Sequence, residues 1–519
     1  MIPAVSARPS RAYLAVVTVT AIVPVLMAVM DSGITNVGFD VLAGSLGVSV
    51  DEITSINTSY MLAMLVAMSL SGWLGANLGR KQSFLVSIAV FTAASLLCAL
   101  SSSLTELVLA RLLQGFGAGI MQTMSAAALV DAYPKDMHAK AFKYWGLGIM
   151  VGPILGPALG GWIFANSSWQ FAFLINLPLG IAAFALGMLF LPEQSVRGER
   201  RPFDWTSLGL MSAGFACLLY VLQEGPQQDW FSSPAISAAL LFGVALVAAF
   251  VVRQLLLTKP LVDLRPLRIP SFSVGIALAV VTGVSTTGTA FIVPLYFQQV
   301  LGFDSALAGL GMLPTAFGSI AAIQFGGSAF AQRVPPALLT IVALGLVGAG
   351  TFWLSMLGKD VGFEQIVLPR LVQGIGSGLF YIPLNVLINA QLEKRDLDGA
   401  TGISGVARQL GMGFGYAGLS AMLAQMQVTA ISEFSRHVRT GSLTPELRLA
   451  PIRDWLISHG WSASDAATAT LPTFQWFVQR AALAVSFEQT FFVLTLFFVI
   501  SMPGVAVLWR LTSIGAKTQ

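Results

Sequence analysis

Arg111-Leu-Leu-Gln-Gly-Phe-Gly-Ala-Gly119 recurs in this chain as Arg370-Leu-Val-Gln-Gly-Ile-Gly-Ser-Gly378, at an offset of 259 residues (370 minus 111). Both copies lie in long apolar runs, so each predicts an arginine within a membrane-spanning helix. A repeat at this offset divides the chain into two equivalent halves. Adding the offset to the start of the first apolar run, at residue 13, gives residue 272, where another run begins. Two parallel halves around a central cavity are typical of secondary transporters.

The composition identifies a membrane protein with many spans. Of its 519 residues, 55% are apolar and 10% are charged, whereas about 25% of residues are charged in soluble domains. The mean hydropathy is +0.78. The net charge of +4 is what basic cytoplasmic loops produce, so no nucleic-acid partner is predicted. Cys98 and Cys217 lie inside apolar runs and are expected to be free thiols.

Apolar windows between polar breaks predict fourteen membrane-spanning helices. The first has no cleavage site after a short apolar core, so it is expected to stay attached. The repeat groups the helices into a six-helix bundle over 1–191, a two-helix insert with its linkers over 192–268, and a second six-helix bundle over 269–519. The predicted helices cover 13–39, 53–76, 82–101, 105–131, 141–164, 170–191, 205–222, 234–256, 272–298, 305–329, 336–357, 363–390, 400–425 and 486–510.

The distribution of Lys and Arg predicts the orientation in the membrane. If the N-terminus is cytoplasmic, the inside segments carry nineteen Lys and Arg residues, whereas the short outer loops carry only Lys359. Positive residues concentrate on the cytoplasmic side, so both termini are predicted to lie in the cytoplasm. The same count supports fourteen spans, because one missed helix would invert every later loop.

Residues 431–485 form the one long segment that this topology places outside. Long translocated segments are exempt from the charge rule, so its five arginines do not contradict the topology. Leu449, Ile452, Leu456 and Ile457 are spaced as in a short amphipathic helix. Two interpretations stay open: a solvated cap, or a docking surface for a partner outside the membrane.

Asp31 lies well inside the first apolar run, where an ionised side chain costs roughly 2.5–3.5 kcal/mol on insertion scales. Counted from the predicted helix ends, Asp31 and Arg111 lie at similar depth, about 10–12 Å below the outer edge, and are predicted to pair. The repeat offset places Ala290 opposite Asp31, so Arg370 has no matching acid. Asp31 is therefore expected to be the only acid within a span. A proton-exchange role and a purely structural ion pair both fit this pattern.

Glycines recur at every fourth residue of the fifth predicted helix, beside two prolines. This spacing aligns the glycines on one face, which lets another helix approach closely. The prolines remove backbone donors and bend the helix. Glycine faces alone are common in membrane helices, but the doubled Gly-Pro is rare. The residues are Gly148, Gly152, Pro153, Gly156, Pro157 and Gly160.

Two motifs resemble those of the major facilitator superfamily. Gly148–Gly161 is similar to its antiporter signature, and Arg111–Gly119, with Arg111, Gln114 and Gly115, is similar to its fourth-helix motif. The resemblance implies an all-α membrane protein with the major facilitator fold. Its fourteen transmembrane helices would form two six-helix bundles plus a two-helix insert.

Three further stretches resemble the fourteen-helix drug:proton antiporter branch, the EmrB/QacA type: Met30–Val37, Trp169–Pro178 and Arg408–Gly411. The resemblance implies proton-driven export of drugs or other amphipathic small molecules across the cytoplasmic membrane. It gives proton exchange to Asp31 and directionality to the fifth-helix motif, and it implies no cofactor beyond the proton gradient. In Gram-negative bacteria such transporters work with a membrane-anchored adaptor and an outer-membrane channel, here through residues 431–485.

The loop between predicted helices two and three resembles another motif of the superfamily. Gly72, Gly79, Arg80 and Lys81 match it, whereas Ala76 replaces the usual aspartate. Whatever latch that aspartate supplies is expected to be weaker here or to come from another residue.

Polar and aromatic residues within the spans are candidates to line a substrate cavity. Arg408 either lines the cavity and attracts an anionic substrate or satisfies backbone carbonyls. The other candidates are Asn36, Tyr60, Gln122, Trp145, Phe291, Tyr381 and Asn385.

Other function classes find little support in the residues. The three histidines lie in predicted loops and form no metal-ligand cluster, and a phosphate-binding Gly-Lys-Ser/Thr loop is absent from the sequence. The inside loops are too short for the signalling domain of a sensor. A transporter, not an enzyme, is predicted, and the alternative to broad drug export is a dedicated exporter of one native metabolite or fatty acid.

Overall fold

The structure is a computed structural model that describes residues 10–134, 137–193, 203–225, 228–258, 260–262, 264–325, 334–392, 397–440 and 445–518. Its regular secondary structure within these residues is helical, as expected where a span must satisfy its own backbone hydrogen bonds. The α-helices are α1 Arg11–Val37, α2 Phe39–Leu46, α3 Val50–Ile53, α4 Ser55–Asn77, α5 Arg80–Leu100, α6 Leu104–Ala132, α7 His138–Asn166, α8 Phe171–Leu174, α9 Asn176–Phe190, α10 Trp205–Glu224, α11 Pro234–Leu256, α12 Pro270–Leu295, α13 Ser305–Leu310, α14 Leu313–Phe325, α15 Pro336–Ser355, α16 Phe363–Asn389, α17 Leu397–Thr440, α18 Pro445–Ser458 and α19 Ala463–Thr518.

Twelve helical segments in the described part of the chain are long and apolar enough to cross a membrane. Helices α7 and α17 are not among the twelve, but they cover the predicted fifth and thirteenth spans, 141–164 and 400–425. The all-α membrane fold is therefore confirmed. The exact number of fourteen spans stays a prediction.

Packing follows the two halves that the repeat predicts. In the first half α1 packs against α6, α7 and α9, while α4 and α5 pack against α6. In the second half α12 packs against α17 and α19, while α14 and α15 pack against α16. Helices α6 and α16, which carry the repeated motif, thus pack in the same way. The insert helices α10 and α11 pack on each other, and α10 also contacts α4 and α17, one helix from each half.

The end of the bundle formed by residues 38–54, 296–304 and 356–362 is called the outer end below, after the orientation that the Lys and Arg count predicts. Helix α6 begins at this end, where the hydroxyl of Ser103 accepts a hydrogen bond from the backbone N–H of Glu106. This cap satisfies one of the free N–H groups of the first turn. It fixes the start of the helix that carries the first arginine of the repeat, about two turns further on.

Residues 431–485 are mostly helical in their described part, with a turn at 459–462. Helix α17 runs to Thr440, α19 starts at Ala463, and α18 lies between them. The predicted start of the last helix at 486 is wrong, because the helix already starts at Ala463. Hydropathy detects only the apolar part of a helix, whereas backbone hydrogen bonds continue it into polar sequence. A helix is present there as α18, but its apolar residues do not form one buried face: Leu456 is buried and Ile457 is exposed.

Glu488 of α19, which also lies within the predicted span 486–510, corrects a second prediction. This helix is one of the twelve apolar segments, and it contains Glu488, whose side chain is partly buried. Asp31 is therefore not the only acid within an apolar helix, and the prediction that it would be is wrong. Asp31 still differs from Glu488 in being fully buried.

Candidate functional site

Asp31 is the buried acid of α1, with 1% of its surface exposed. Arg111 of α6 is fully buried beside it, and its Nη1 donates to Oδ2 of Asp31 in an ion pair. The contact predicted from matched helix depth is therefore present. Pairing compensates two charges that would each be costly to bury alone.

The second carboxylate oxygen of Asp31 is bound by two amides. Gln114 donates from Nε2 to Oδ1 at 2.9 Å, and Asn176, at the start of α9, donates from Nδ2 at 2.7 Å. The same nitrogen of Gln114 lies 2.8 Å from the hydroxyl of Ser95 on α5. Helices α1, α5, α6 and α9 therefore meet around one carboxylate.

Arg111 is satisfied along its guanidinium group. Its Nη1 also donates to Oε1 of Gln114 at 2.7 Å, and Nη2 donates to Oδ1 of Asn57 at 2.8 Å. Its Nε donates to the backbone carbonyl of Ile56 at 3.3 Å. The guanidinium carbon lies 4.2 Å from the ring centroid of Tyr60, within the range of a cation–π contact. Helix α4 thus supplies three of the contacts that hold the cation.

This geometry makes the charge balance of Arg111 depend on a single carboxyl group. A proton on Asp31 removes the charge that balances Arg111, and an arginine cannot lose its own charge in response. The cation is then left with neutral acceptors on α4 and α6. The charge balance of Arg111 between α1, α4 and α6 therefore depends on the protonation state of one carboxyl group.

The second half contains the arginine but not the acid. Arg370 is buried and donates to Oε1 of Gln373 and to the sulfur of Met312, the latter at 3.1 Å. It has no acidic partner among the described residues. Ala290 occupies the position that the repeat offset assigns to the acid. The Arg–Gln pair is thus a shared feature of both halves, and the carboxylate belongs to the first alone.

The glycines of α7 bring that helix against α1, next to the acid. A Cβ on Gly156 would lie 2.6 Å from the carbonyl oxygen of Met30, and one on Gly160 would lie 2.8 Å from Cα of Ile34. Gly152 is equally close to α1. These distances leave no room for a side chain, so the glycine spacing sets the position of α1.

The same helix meets the second half at the outer end. A Cβ on Gly309 of α13 would lie 2.3 Å from the carbonyl oxygen of Pro157. Pro157 also packs on Gly33 of α1. Gly148 and Pro153 also lie in α7, but the structure does not describe their burial or contacts.

Two of the cavity candidates are buried near the ion pair. Tyr60 donates its hydroxyl hydrogen to the carbonyl of Ala28 at 3.0 Å. Asn36 accepts hydrogen bonds at Oδ1 from Nδ2 of Asn57 and from the hydroxyl of Tyr416, both at 2.7 Å. Asn36 and Tyr60 are therefore packed polar residues in this conformation.

Phe291 is also buried, between the rings of Phe39 and Tyr416, with centroid distances of 5.7 and 5.5 Å. The side chain of Tyr381 falls outside the described residues. The remaining candidates are partly buried: Gln122 on α6, Trp145 on α7, Asn385 on α16 and Arg408 on α17.

The loop motif between α4 and α5 contains a turn and an ion pair. Gly79 has a φ of +86°, a backbone conformation that glycine adopts without strain. Arg80 donates to Asp131, at the end of α6, at 2.6 Å. This pair is a candidate for the latch that Ala76 cannot supply. Gly72 and Ala76 are exposed, and Lys81 is partly buried.

Sequence reasoning did not single out Asn57, Ser95 or Tyr416, and it gave Asn176 no role. Asn176 lies in the recognised stretch Trp169–Pro178, so a signal for it was present. Asn57 and Ser95 gave a weaker signal, as polar residues within apolar runs. Nothing in the spacing pointed to Tyr416, because its partner lies in the other half.

Known proteins resemble this chain over most of its length. A profile described as the Major Facilitator Superfamily matches residues 23–416. The fatty acid resistance protein FarB of Neisseria gonorrhoeae is 32% identical over 451 residues, which cover 86% of this chain and 88% of FarB. The multidrug export protein EmrB of Escherichia coli strain K12 is 30% identical over 402 residues, which cover 77% of this chain and 78% of EmrB.

Solved structures agree on the fold. A bacterial homologue of the human lysosomal transporter Spinster, in an inward-facing and unoccupied conformation, superposes with a TM-score of 0.64 at 15% identity, covering 98% of this chain and 99% of that one. The POT family transporter PepTSo gives a TM-score of 0.65 at 13% identity, with 98% and 99% covered. From the profile match and the relatives at 30% identity or more, this chain belongs to the major facilitator superfamily, in its EmrB type of drug:proton antiporters.

Proposed function

We propose that this protein exports drugs or other amphipathic small molecules across the cytoplasmic membrane in exchange for protons. The buried Asp31–Arg111 pair is the observation that carries the proposal. Its carboxylate can take up and release a proton, and the arginine gives each protonation state a different arrangement of helices. The proton gradient drives the cycle, so no cofactor is proposed.

The substrate class follows from two relatives that differ in their names. One is a multidrug export protein and the other a fatty acid resistance protein. One name refers to several drugs and the other to fatty acids, so together they favour a range of small molecules over a single compound. A dedicated exporter of one fatty acid or native metabolite is the second candidate. A toxicity panel of unrelated drugs and fatty acids on cells lacking the protein separates the two, because a broad exporter protects against several chemical classes.

The test of coupling is transport into inverted membrane vesicles with an imposed proton gradient. The unmodified protein should accumulate substrate only when the gradient is present. Asp31→Asn should abolish this transport, since an amide cannot exchange the proton. Glu488→Gln is the matched control: it also neutralises an acid within an apolar helix, but one that is only partly buried. Full gradient-driven transport by Asp31→Asn would reject the coupling role.

We also propose an inner-membrane location with both termini in the cytoplasm, from the Lys and Arg distribution. A membrane-fusion adaptor and an outer-membrane channel are proposed as partners through residues 431–485. The exposed aromatic residues of this segment support a docking role: Trp455, Trp461, Trp476 and Phe477.

The adaptor proposal can be tested by replacing 441–462 with a short Gly/Ser linker. Co-purification with a co-expressed membrane-fusion adaptor should be lost, while vesicle transport across the inner membrane is retained. Co-purification at the unmodified level would reject this docking surface.

A further inference from the structure

A continuous set of hydrogen bonds joins Asp31 to the second half of the molecule. Arg111, paired with Asp31, donates from Nη2 to Oδ1 of Asn57 at 2.8 Å. Asn57 donates from Nδ2 to Oδ1 of Asn36, and the hydroxyl of Tyr416 donates to the same oxygen, both at 2.7 Å. These five buried residues are called the polar relay below. Four of them belong to the first half, and Tyr416 lies on α17 of the second.

The direction of each bond in the polar relay depends on Arg111. A guanidinium can only donate, so it holds Oδ1 of Asn57 toward itself, where the hydroxyl of Thr35 also donates at 3.0 Å. The amide nitrogen of Asn57 then points at Asn36, which must present its oxygen. That oxygen accepts the hydroxyl of Tyr416. If Arg111 withdraws, Asn57 can turn over, and two amide oxygens then face each other.

Tyr416 takes part in a contact between the halves at the outer end. Its ring and that of Phe39 both pack against Phe291, which joins α2 to α12 and α17. Gln298 and Gln299 of the second half donate to acceptors in the first half at 2.9 and 3.0 Å. These contacts hold the outer end closed. The polar relay adds a contact between the halves, from Tyr416 to Asn36, that depends on the charge of Asp31.

We infer that the polar relay locks the outer end closed while Asp31 is ionised and no substrate is bound, with Asn57, Asn36 and Tyr416 as positioning residues. The inference rests on the proposed proton-coupled export. A proton on Asp31, or a substrate that competes for the contacts of Arg111, draws the arginine away from Asn57 and releases Tyr416. Protonation and substrate are then alternative ways to release one lock.

An antiporter needs such a lock in its empty, ionised form. If the empty carrier changes conformation freely, it returns outward after delivering each proton and dissipates the gradient without moving substrate. A defective lock should therefore increase a measurable activity, proton leak. Misfolding, by contrast, removes activity.

Few titratable groups other than those of the polar relay face Asp31 among the described residues. Tyr60 on α4 lies under the guanidinium of Arg111, and Cys98 on α5 is buried nearby. No titratable side chain occurs in α8, α9, α12 or α13. In α7 all titratable side chains lie in the first seven residues of the helix. Asp40 on α2 bonds to a glutamine of the second half and lies outside the polar relay.

Tyr416→Phe tests the lock, because it removes the hydroxyl and keeps the ring on Phe291. Proteoliposomes with a pH gradient and no substrate should leak protons about fivefold faster with this variant than with the unmodified protein. The flux of Asp31→Asn, which carries no exchangeable proton, is subtracted from each. Fivefold is the change in population that the loss of one neutral hydrogen bond of about 1 kcal/mol produces.

Tyr296→Phe is the matched control. Tyr296 is also buried at the outer end, but its hydroxyl donates to the carbonyls of Leu357 and Gly358 within the second half, at 2.9 and 3.0 Å. This variant should leak no faster than the unmodified protein. The double variant Asp31→Asn/Tyr416→Phe should show no leak above background, because the released protein then has no exchangeable proton at position 31.

Asn36→Leu provides a second variant, since it removes the oxygen that accepts both bonds, and it should also leak. Normal leak rates in both Tyr416→Phe and Asn36→Leu, with normal substrate-driven proton exchange, would overturn the lock. A fast leak in Tyr296→Phe would overturn it as well, because the effect would not be specific to the polar relay. If the unmodified protein shows no substrate-driven proton exchange, the proposed function itself fails, and this result is distinct from the other two.

Discussion

The Asp31–Arg111 pair makes a quantitative prediction about stability. Asp31→Asn leaves Arg111 as a buried cation without an anion, and Arg111→Gln leaves Asp31 as a buried anion without a cation. Removing one partner of a buried pair costs roughly 3–5 kcal/mol. The double variant Asp31→Asn/Arg111→Gln buries no charge, and neutral replacements of buried pairs are often close to neutral in stability. The double variant should therefore be more stable than either single variant.

The geometry allows the size of this rescue to be worked out. In the double variant Gln114 and Asn176 can still donate to the oxygen of the new asparagine, so most of the 2.7–2.9 Å contacts around position 31 are retained. The main loss is the set of arginine bonds to Asn57 and Ile56, at about 1 kcal/mol each. Each single variant should lose about 3–5 kcal/mol of unfolding free energy, and the double variant about 2 kcal/mol. The coupling energy between the two substitutions should therefore exceed about 3 kcal/mol.

The free energy of unfolding can be measured by SDS titration in mixed micelles. The proteins compared are the unmodified protein, the two single variants and the double variant. Arg370→Gln is the control, because Arg370 is a buried arginine with no acidic partner among the described residues. Its effect should be small and should add to that of Asp31→Asn without coupling. Additive effects of Asp31→Asn and Arg111→Gln would refute the reasoning, since they would mean that neither charge relies on the other.

Three further predictions concern packing and pH. Gly156→Ala should lower transport and cost roughly 1–3 kcal/mol in unfolding titrations, because its Cβ would meet the carbonyl of Met30 at 2.6 Å, whereas Gly72→Ala, with open space around it, should not. Burial raises the pKa of Asp40, against a smaller opposing effect of its hydrogen bond from a glutamine. The folded state therefore binds this proton more tightly than the unfolded state does. The free energy of unfolding then falls as pH rises above about 4, and Asp40→Asn should remove that fall. At Asp204, burial raises the pKa, but hydrogen bonds from an arginine and a serine lower it more. Asp204→Asn should cost roughly 1 kcal/mol at pH 7, and this cost should shrink as pH falls below about 4, where the unfolded carboxyl takes up its proton first.

The ion pair could be predicted from sequence because its geometry is that of two helices. Each residue of a helix adds a fixed rise, so the positions of Asp31 and Arg111 relative to the predicted helix ends gave matched depths. The equivalence of Arg111 and Arg370 needed only the repeat. These inferences depend on distances along one helix at a time, which sequence determines well.

The partners around the pair could not be predicted in this way. Asn176 and Asn57 reach it because α9 and α4 pack at particular rotations, and Tyr416 reaches Asn36 across the two halves. A contact of that kind depends on tertiary packing. The extension of α17 and α19 into residues 431–485 was missed for another reason: hydropathy reports contact with lipid, and these turns are helical without being apolar.

In the proposed proton exchange, the placement of α1 explains why one acid would be enough for both halves. On one side its backbone lies against the glycines of α7, so it cannot move independently of that helix. On another side it carries Asp31, and about 7.5 Å further along the axis it carries Asn36, which meets Tyr416 of the second half. A second acid at Ala290 would have to act on a different helix and a different contact. A single carboxylate on the helix that also carries the outer contact would, in the proposed mechanism, let one protonation event reach the interface between the halves. Moving the acid to the second half, with Asp31→Ala and Ala290→Asp combined, should therefore fail to restore gradient-driven transport in inverted vesicles. Restored transport would show that the depth of the acid matters and that its helix does not.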